Sequence, residues 1–157
     1  ELFKSFKNYA GKYNNLIDKY YNEIFKNNSK IHSWIWHDYE RILSQINPEN
    51  NNFDNKENIL KREGLPNSPF MELYYIKNKF FMEDNEILKK CKSLNSIPGF
   101  IIQGRYDLIC PPINAFNLNE KWSSSKLILV NTAGHSSSDF GITENMLSSL
   151  DSLIKSI

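Results

Sequence analysis

Residues 99–112 read GFIIQGRYDLICPP, an apolar run that passes directly into a polar turn. The run predicts a buried strand over Phe100–Gln103, and the two prolines after it end the strand because proline lacks a backbone donor. Asp107 lies in the turn that follows. Taken alone, it favours a plain turn, in which the carboxylate accepts nearby backbone N–H groups. The alternative is an active-site carboxylate on a loop held by a rigid sheet.

Alternating helical and strand patterns follow this turn. Ile113–Trp122 is a predicted helix, and Leu127–Val130 is a second predicted strand. Thr143 is a candidate N-cap for a last helix, with an apolar stripe of Met146, Leu150, Leu153, Ile154 and Ile157. Two parallel strands need neighbouring strands and covering helices. We therefore expect the C-terminal part of a larger α/β protein, whose other strands are encoded before Glu1.

The first 93 residues show helical periodicity and no strand pattern. Two stripes at helical spacing predict helices: Leu16, Ile17, Tyr20, Tyr21, Ile24 and Phe25, then Ile31, Trp34, Ile35, Tyr39, Ile42 and Ile46. Shorter helices are predicted over Glu72–Phe81 and Glu86–Cys91, and loops over Asn47–Asn58 and Gly64–Pro69. The chain is thus expected to form two domains, a helical one over 1–93 and an α/β one over 94–157.

Composition and charge exclude several classes of function. The 157 residues carry 19 basic and 18 acidic side chains, a net charge of +1, so no field of one sign attracts nucleic acid or an anionic membrane. No apolar stretch approaches the roughly 20 residues that cross a bilayer, and no signal peptide is recognisable. We expect a cytoplasmic protein. Cys91 and Cys110 lie outside metal-ligand spacings, so reduced thiols and no metal or organic cofactor are expected.

His135 follows the second strand, after a glycine, as Asp107 follows the first. A lone histidine here would most simply be a loop residue with satisfied hydrogen bonds. However, the ends of successive parallel strands share one edge of a sheet, so the two side chains can meet. An Asp followed by a His is the order of the second half of a Ser-Asp-His triad. The 157 residues contain no Gly-x-Ser-x-Gly turn, and the serines at 136–138 lack its strand-turn-helix context.

The stretches FIIQGRYDLICPPINAFNL and LILVNTAGHSSSDFGI closely resemble the C-terminal segment of the proline iminopeptidases. The resemblance covers residues 97 to about 147. It implies that Asp107 and His135 are the triad Asp and His of a serine exopeptidase that releases N-terminal proline from peptides. The implied fold class is α/β: the C-terminal part of an α/β-hydrolase fold over 94–157, with a helical cap domain over 1–93.

Residues 36–40, WHDYE, are similar to a stretch of the family's cap domain. The resemblance implies that Glu40 binds the free α-amino group of the substrate, beside Trp36 and Tyr39. A carboxylate next to an aromatic wall suits a cation, although a solvated glutamate on a helix is the simpler interpretation. The position aligned with the family's second amine-binding glutamate holds Lys77. Either Glu72 or Glu83 replaces it, or the specificity differs.

Two other functions compete with this one. The chain could belong to an α/β-hydrolase of different activity, an esterase or another aminopeptidase, which Lys77 favours. It could also be a non-catalytic interaction module built from the aromatic-rich helices. Since the sequence lacks a nucleophile turn, we expect the chain alone to be inactive. We also expect it to self-associate through sheet surface that the rest of the α/β protein would cover.

Overall fold

The computed structural model describes residues 1–46 and 51–155. The chain forms two compact units, one of Glu1–Ile42 with Glu49–Glu83 and the other of Leu43–Pro48 with Asp84–Ile157. The main division thus lies ten residues before the boundary expected from the change in periodicity. Identification of the units as a cap and a hydrolase core stays a prediction.

The first unit is helical. Its helices are α1 (Leu2–Ala10), α2 (Leu16–Tyr21), α3 (Lys30–Ser44, with its last two residues in the second unit), α4 (Lys56–Lys61) and α5 (Ser68–Lys77). A π-helical turn over Asn22–Lys26 extends α2, and a 3₁₀ turn over Lys79–Phe81 follows α5. Asparagine caps start two of the helices: Asn15 accepts the Asp18 N–H at 3.0 Å and Asn55 accepts the Asn58 N–H at 2.9 Å.

An aromatic cluster forms the core of the first unit. The ring of Phe6 is stacked between Tyr20 and Tyr39, with centroids 4.4 and 4.2 Å away, and Trp36 meets it edge-on at 5.7 Å. The Tyr20 hydroxyl donates to the Phe6 carbonyl at 2.8 Å. Burial of Ile24, Ile35, Ile59 and Leu73 completes this core. Trp36 and Tyr39 are therefore held by packing on several sides.

The second unit combines helices with a two-stranded parallel sheet. In chain order it contains α6 (Glu86–Lys90), a 3₁₀ turn (Cys91–Leu94), β1 (Gly99–Gly104), α7 (Pro112–Lys121), β2 (Ser125–Val130) and α8 (Ile142–Ile154). The register pairs Gly99 with Ser125 and Gly104 with Val130. The combination of helices with a parallel sheet is compatible with part of an α/β-hydrolase region.

Several local predictions differ from the structure. The sequence did not predict α1 or α4, and the first three residues of α4, 56–58, lie at the end of an expected loop. The helix expected over Glu72–Phe81 instead spans Ser68–Lys77, because the next residues turn left-handed, with φ of 51° at Lys79 and 54° at Phe80. Part of the expected loop, residues 47–50, and Ile157 of the last stripe lie outside the described residues.

The start of α8 also differs from its prediction. Gly141, with φ of 93°, occupies the cap position, and its N–H donates to the Glu144 carboxylate at 3.0 Å. Thr143 was wrongly predicted as the cap. Its hydroxyl instead donates to the Ser137 carbonyl at 2.8 Å, which ties α8 to the loop before it.

The predicted apolar stripe of α8 is largely exposed. Met146, Leu150 and Ile154 all lie open to solvent. Beside Phe100 and Ile102 of β1, the helix borders an open apolar groove of about 340 Å³. None of the helices within residues 1–46 and 51–155 is both long and apolar enough to cross a bilayer.

Candidate functional site

Asp107 and His135 meet at the carboxyl edge of the sheet. Because Gly104 and Val130 are register partners at the ends of β1 and β2, the turns that follow them start side by side. The Nδ1 atom of His135 lies 2.9 Å from Oδ2 of Asp107. The aspartate side chain is 6% exposed and the imidazole 41% exposed. The structure thus joins a buried carboxylate to an imidazole that reaches solvent.

Three other donors hold the Asp107 carboxylate. Its Oδ1 accepts the backbone N–H of Ile109 at 2.9 Å and of Cys110 at 2.7 Å, while Gln103 Nε2 donates to Oδ2 at 3.2 Å. Burial opposes ionisation, but the hydrogen bonds from Cys110, His135 and Ile109 outweigh it and lower the pKa of Asp107 below its ordinary value. Asp107 is therefore both the turn residue and the partner of His135. Its role as an active-site carboxylate stays a prediction.

Gly104 lets the two turns approach closely. A Cβ atom at this position would lie 1.9 Å from the Gly134 carbonyl oxygen, which no side chain tolerates. Across the contact the Tyr106 N–H donates to the Ala133 carbonyl at 3.0 Å, and Arg105 Nε donates to Asn131 Oδ1 at 2.7 Å. The sequence alone did not single out Gly104 or Gln103, although a glycine at a strand end is a signal for such an approach.

The backbone of the His135 loop is anchored within the same unit. The N–H groups of His135 and Ser136 both donate to the Ser44 carbonyl, at 3.0 and 2.8 Å. On the other side of His135, the Gly134 N–H donates to Asp139 Oδ2 at 2.7 Å. These bonds fix where the imidazole leaves the backbone. Sequence spacing did not reveal the roles of Ser44 and Asp139.

A pair of carboxyl groups lies in the first unit. Glu40, one turn after Trp36 on α3, is hydrogen-bonded to Glu72 of α5. The indole Nε1 of Trp36 donates to Glu72 Oε2 at 2.7 Å. Burial, together with the hydrogen bond and the charge of Glu72, raises the pKa of Glu40 to about 8. Two adjacent carboxyls cannot both ionise freely, so the proximity of Glu72 favours the form in which Glu40 holds a proton.

Comparison with known proteins identifies relatives that are named proline iminopeptidases. A putative proline iminopeptidase of Mycoplasma genitalium is 27% identical over 152 residues, which cover 95% of this chain and 46% of that protein. The proline iminopeptidase of Arabidopsis thaliana is 27% identical over 139 residues, 84% of this chain and 35% of its own. A probable proline iminopeptidase of Leptolyngbya boryana is 37% identical over 81 residues, which cover 52% of this chain and 25% of that protein. No family model matches the chain.

The chain is similar to proline iminopeptidases of several organisms. It matches a C-terminal portion of these proteins and spans between a quarter and about half the length of the three relatives named above.

From the sequence, Lys77 was aligned with the second amine-binding position of proline iminopeptidases. In the structure, its side chain contacts other residues of the first unit. Its ammonium pairs with the Asp18 carboxylate and lies 5.7 Å from the centre of the Tyr21 ring. Of the two glutamates considered as replacements, Glu72 interacts with Glu40. Tyr39, also expected in substrate binding, stacks on Phe6 in the core.

The serines after His135 bond to each other. The hydroxyls of Ser136 and Ser138 lie 2.7 Å apart, and the Ser138 N–H donates to Ser136 Oγ at 3.2 Å. They form a local turn of the histidine loop. Asp107 and His135 therefore form an acid–imidazole pair in the second unit, and Glu40 and Glu72 form a carboxyl pair in the first.

Proposed function

We propose that this chain is the C-terminal portion of a serine exopeptidase that releases N-terminal proline from peptides. The hydrogen bond of 2.9 Å between Asp107 and His135 carries the proposal, because it is the bond that orients the base of a Ser-His-Asp triad. The names of the relatives point to the same activity.

The proposed chemistry follows from the two nitrogens of His135. With Nδ1–H donating to the ionised Asp107, the other nitrogen, Nε2, carries the lone pair and takes the proton of a serine hydroxyl as it attacks the scissile carbonyl. The imidazolium then protonates the departing amine, and water releases proline from the acyl-enzyme in the reverse sequence. Asp107 stays ionised throughout, as its hydrogen bonds favour.

The nucleophile is proposed to lie outside these 157 residues, since they contain no Gly-x-Ser-x-Gly turn. The second unit would then be part of an α/β-hydrolase core and the first unit a cap. On this proposal the chain alone has no peptidase activity, because it lacks the attacking hydroxyl.

Glu40 and Glu72 are proposed to bind the substrate's free N-terminal amine. A secondary ammonium entering between the two carboxyls displaces their shared proton, so that both are ionised against one cation. Trp36 acts as a positioning residue, since its indole N–H directs Glu72. Recognition of a free N-terminal amine distinguishes an exopeptidase from an endopeptidase.

The test is hydrolysis of a proline amide and an alanine amide by the protein that joins this chain to its nucleophile. We expect a clear preference for proline, loss of turnover in His135→Ala, and a raised KM in Glu72→Gln. Lys77→Gln is the matched control, because this side chain pairs with Asp18, and its KM should be close to that of the wild type. Cleavage without preference for proline would redirect the proposal to another aminopeptidase or esterase. Full turnover in His135→Ala would refute it altogether.

A further inference from the structure

The thiol of Cys110 lies beside the Asp107–His135 pair. Cys110 ends the turn that Asp107 begins, and its thiol is free and exposed. One ligand atom from each of Asp107, Cys110 and His135 lies within 4.8 Å of the other two. A carboxylate, a thiolate and an imidazole together form a donor set typical of zinc and of other thiophilic divalent cations.

The distances suit a tetrahedral ion after a small adjustment. Nitrogen and oxygen ligands about 2.0 Å from zinc stand about 3.3 Å apart at the tetrahedral angle, and a sulfur ligand at about 2.3 Å stands about 3.6 Å from the nitrogen. His135 Nδ1 and Asp107 Oδ2 are 2.9 Å apart, so they need to separate by only a few tenths of an ångström. The exposed Cys110 sulfur lies within 4.8 Å of the other two ligand atoms and has to approach them to reach this geometry.

We propose that Asp107, Cys110 and His135 form a binding site for a thiophilic divalent cation such as Zn²⁺, which takes the place of the proton between Asp107 and His135. The backbone N–H groups of Ile109 and Cys110 hold Oδ1, which leaves Oδ2 as the ligand oxygen. The fourth position is open to water or substrate.

The protons and charges can be accounted for when the metal ion binds. The imidazole proton moves from Nδ1 to Nε2 through solvent exchange, which frees the Nδ1 lone pair for the metal. The Cys110 thiol releases its proton to solvent and binds as thiolate. The doubly positive ion is then neutralised by one carboxylate and one thiolate.

A metal ion bound at this site would reversibly block the peptidase reaction proposed above. With a proton on Nε2 and a metal on Nδ1, His135 has no lone pair to accept the serine proton. This inhibition rests on the proposed function, whereas metal binding itself does not.

The binding test titrates the 157-residue chain with Co²⁺, because thiolate coordination to cobalt gives a charge-transfer band in the near ultraviolet. We expect one equivalent bound with this band, displacement of the cobalt by Zn²⁺, and no competition from Mg²⁺. Cys110→Ser should lose the band and bind at least tenfold more weakly. Cys91→Ser is the matched control, since Cys91 is the buried cysteine, and it should retain both. Absence of the band in the wild type, or its persistence in Cys110→Ser, would overturn the site.

Activity measurements separate this inference from the function on which the inhibition rests. In the protein that carries the nucleophile, Zn²⁺ should inhibit proline release, and Cys110→Ser should need at least tenfold more Zn²⁺ for the same fractional inhibition of its own metal-free rate. If the chain binds cobalt but no proline amide is cleaved, the proposed function fails and the site stands. If proline is released but no metal binds, only the site fails.

Discussion

Replacing Asp107 with asparagine should abolish catalysis while leaving the turn folded. Asparagine keeps an oxygen at the Oδ1 position, so the backbone N–H groups of Ile109 and Cys110 retain their acceptor. At the Oδ2 position it presents an amide donor, which faces two other donors, Gln103 Nε2 at 3.2 Å and His135 Nδ1 at 2.9 Å.

In Asp107→Asn, we expect the His135 imidazole, and not the Gln103 amide, to change its hydrogen bonding. Gln103 Nε2 also donates to the carbonyls of Gly104 at 3.0 Å and Cys110 at 3.2 Å, so turning its amide over loses two further bonds. His135 instead accepts at Nδ1 and carries its proton on Nε2, the wrong tautomer for a general base. In a serine protease the same change lowers kcat about 10⁴-fold, which corresponds to about 5.4 kcal/mol of activation free energy. The lost carboxylate bond costs about 1–3 kcal/mol of folding free energy.

Two assays test this expectation. Nitrogen NMR of the imidazole in the 157-residue chain should find the proton on Nδ1 in the wild type and on Nε2 in Asp107→Asn. Proline release by the nucleophile-bearing protein should fall about 10⁴-fold in kcat, with the variant still folded by circular dichroism. A variant that keeps kcat within about tenfold of the wild type, or that carries the proton on the same nitrogen, would refute the orienting role of Asp107.

Three further outcomes are expected. The pKa of Glu40 is raised in the folded state, so this group stabilises the fold fully at a pH below the ordinary carboxyl pKa. The stabilising free energy is lost as the pH rises through the folded-state pKa. Glu40→Gln should remove this loss when the free energy of unfolding is measured from roughly pH 5 to pH 9. Leu73→Ala, at a fully buried position, should cost about 2–5 kcal/mol in urea unfolding, whereas Leu60→Ala, at an exposed one, should cost less than about 1 kcal/mol. Leu150→Lys should lower self-association in sedimentation, since Leu150 lines the apolar groove beside β1, and an unchanged mass would contradict this.

The local pattern of residues was sufficient to predict the two strands of the second unit. Two short apolar runs, each followed by a polar turn, predict β1 and β2 to within two residues, because strand formation depends on neighbouring side chains. Since both Asp107 and His135 follow parallel strands, their meeting also followed from the chain order. By contrast, α1 and α4 were missed, because such short helices are stabilised mainly by the core that Phe6 and Ile59 enter.

The sequence by itself thus determined the strand-helix alternation and the two residues at the strand ends, for which the relevant interactions are local or set by parallel topology. Only the tertiary structure decided which carboxylate partners Glu40. Glu72 lies 32 positions from it, and no spacing rule connects residues on α3 and α5. The grouping of Cys110 with Asp107 and His135 likewise depends on the close approach of two turns at Gly104. Contacts between distant segments are set by the packing of the whole unit, and the residues that make them carry no local signal of their partners.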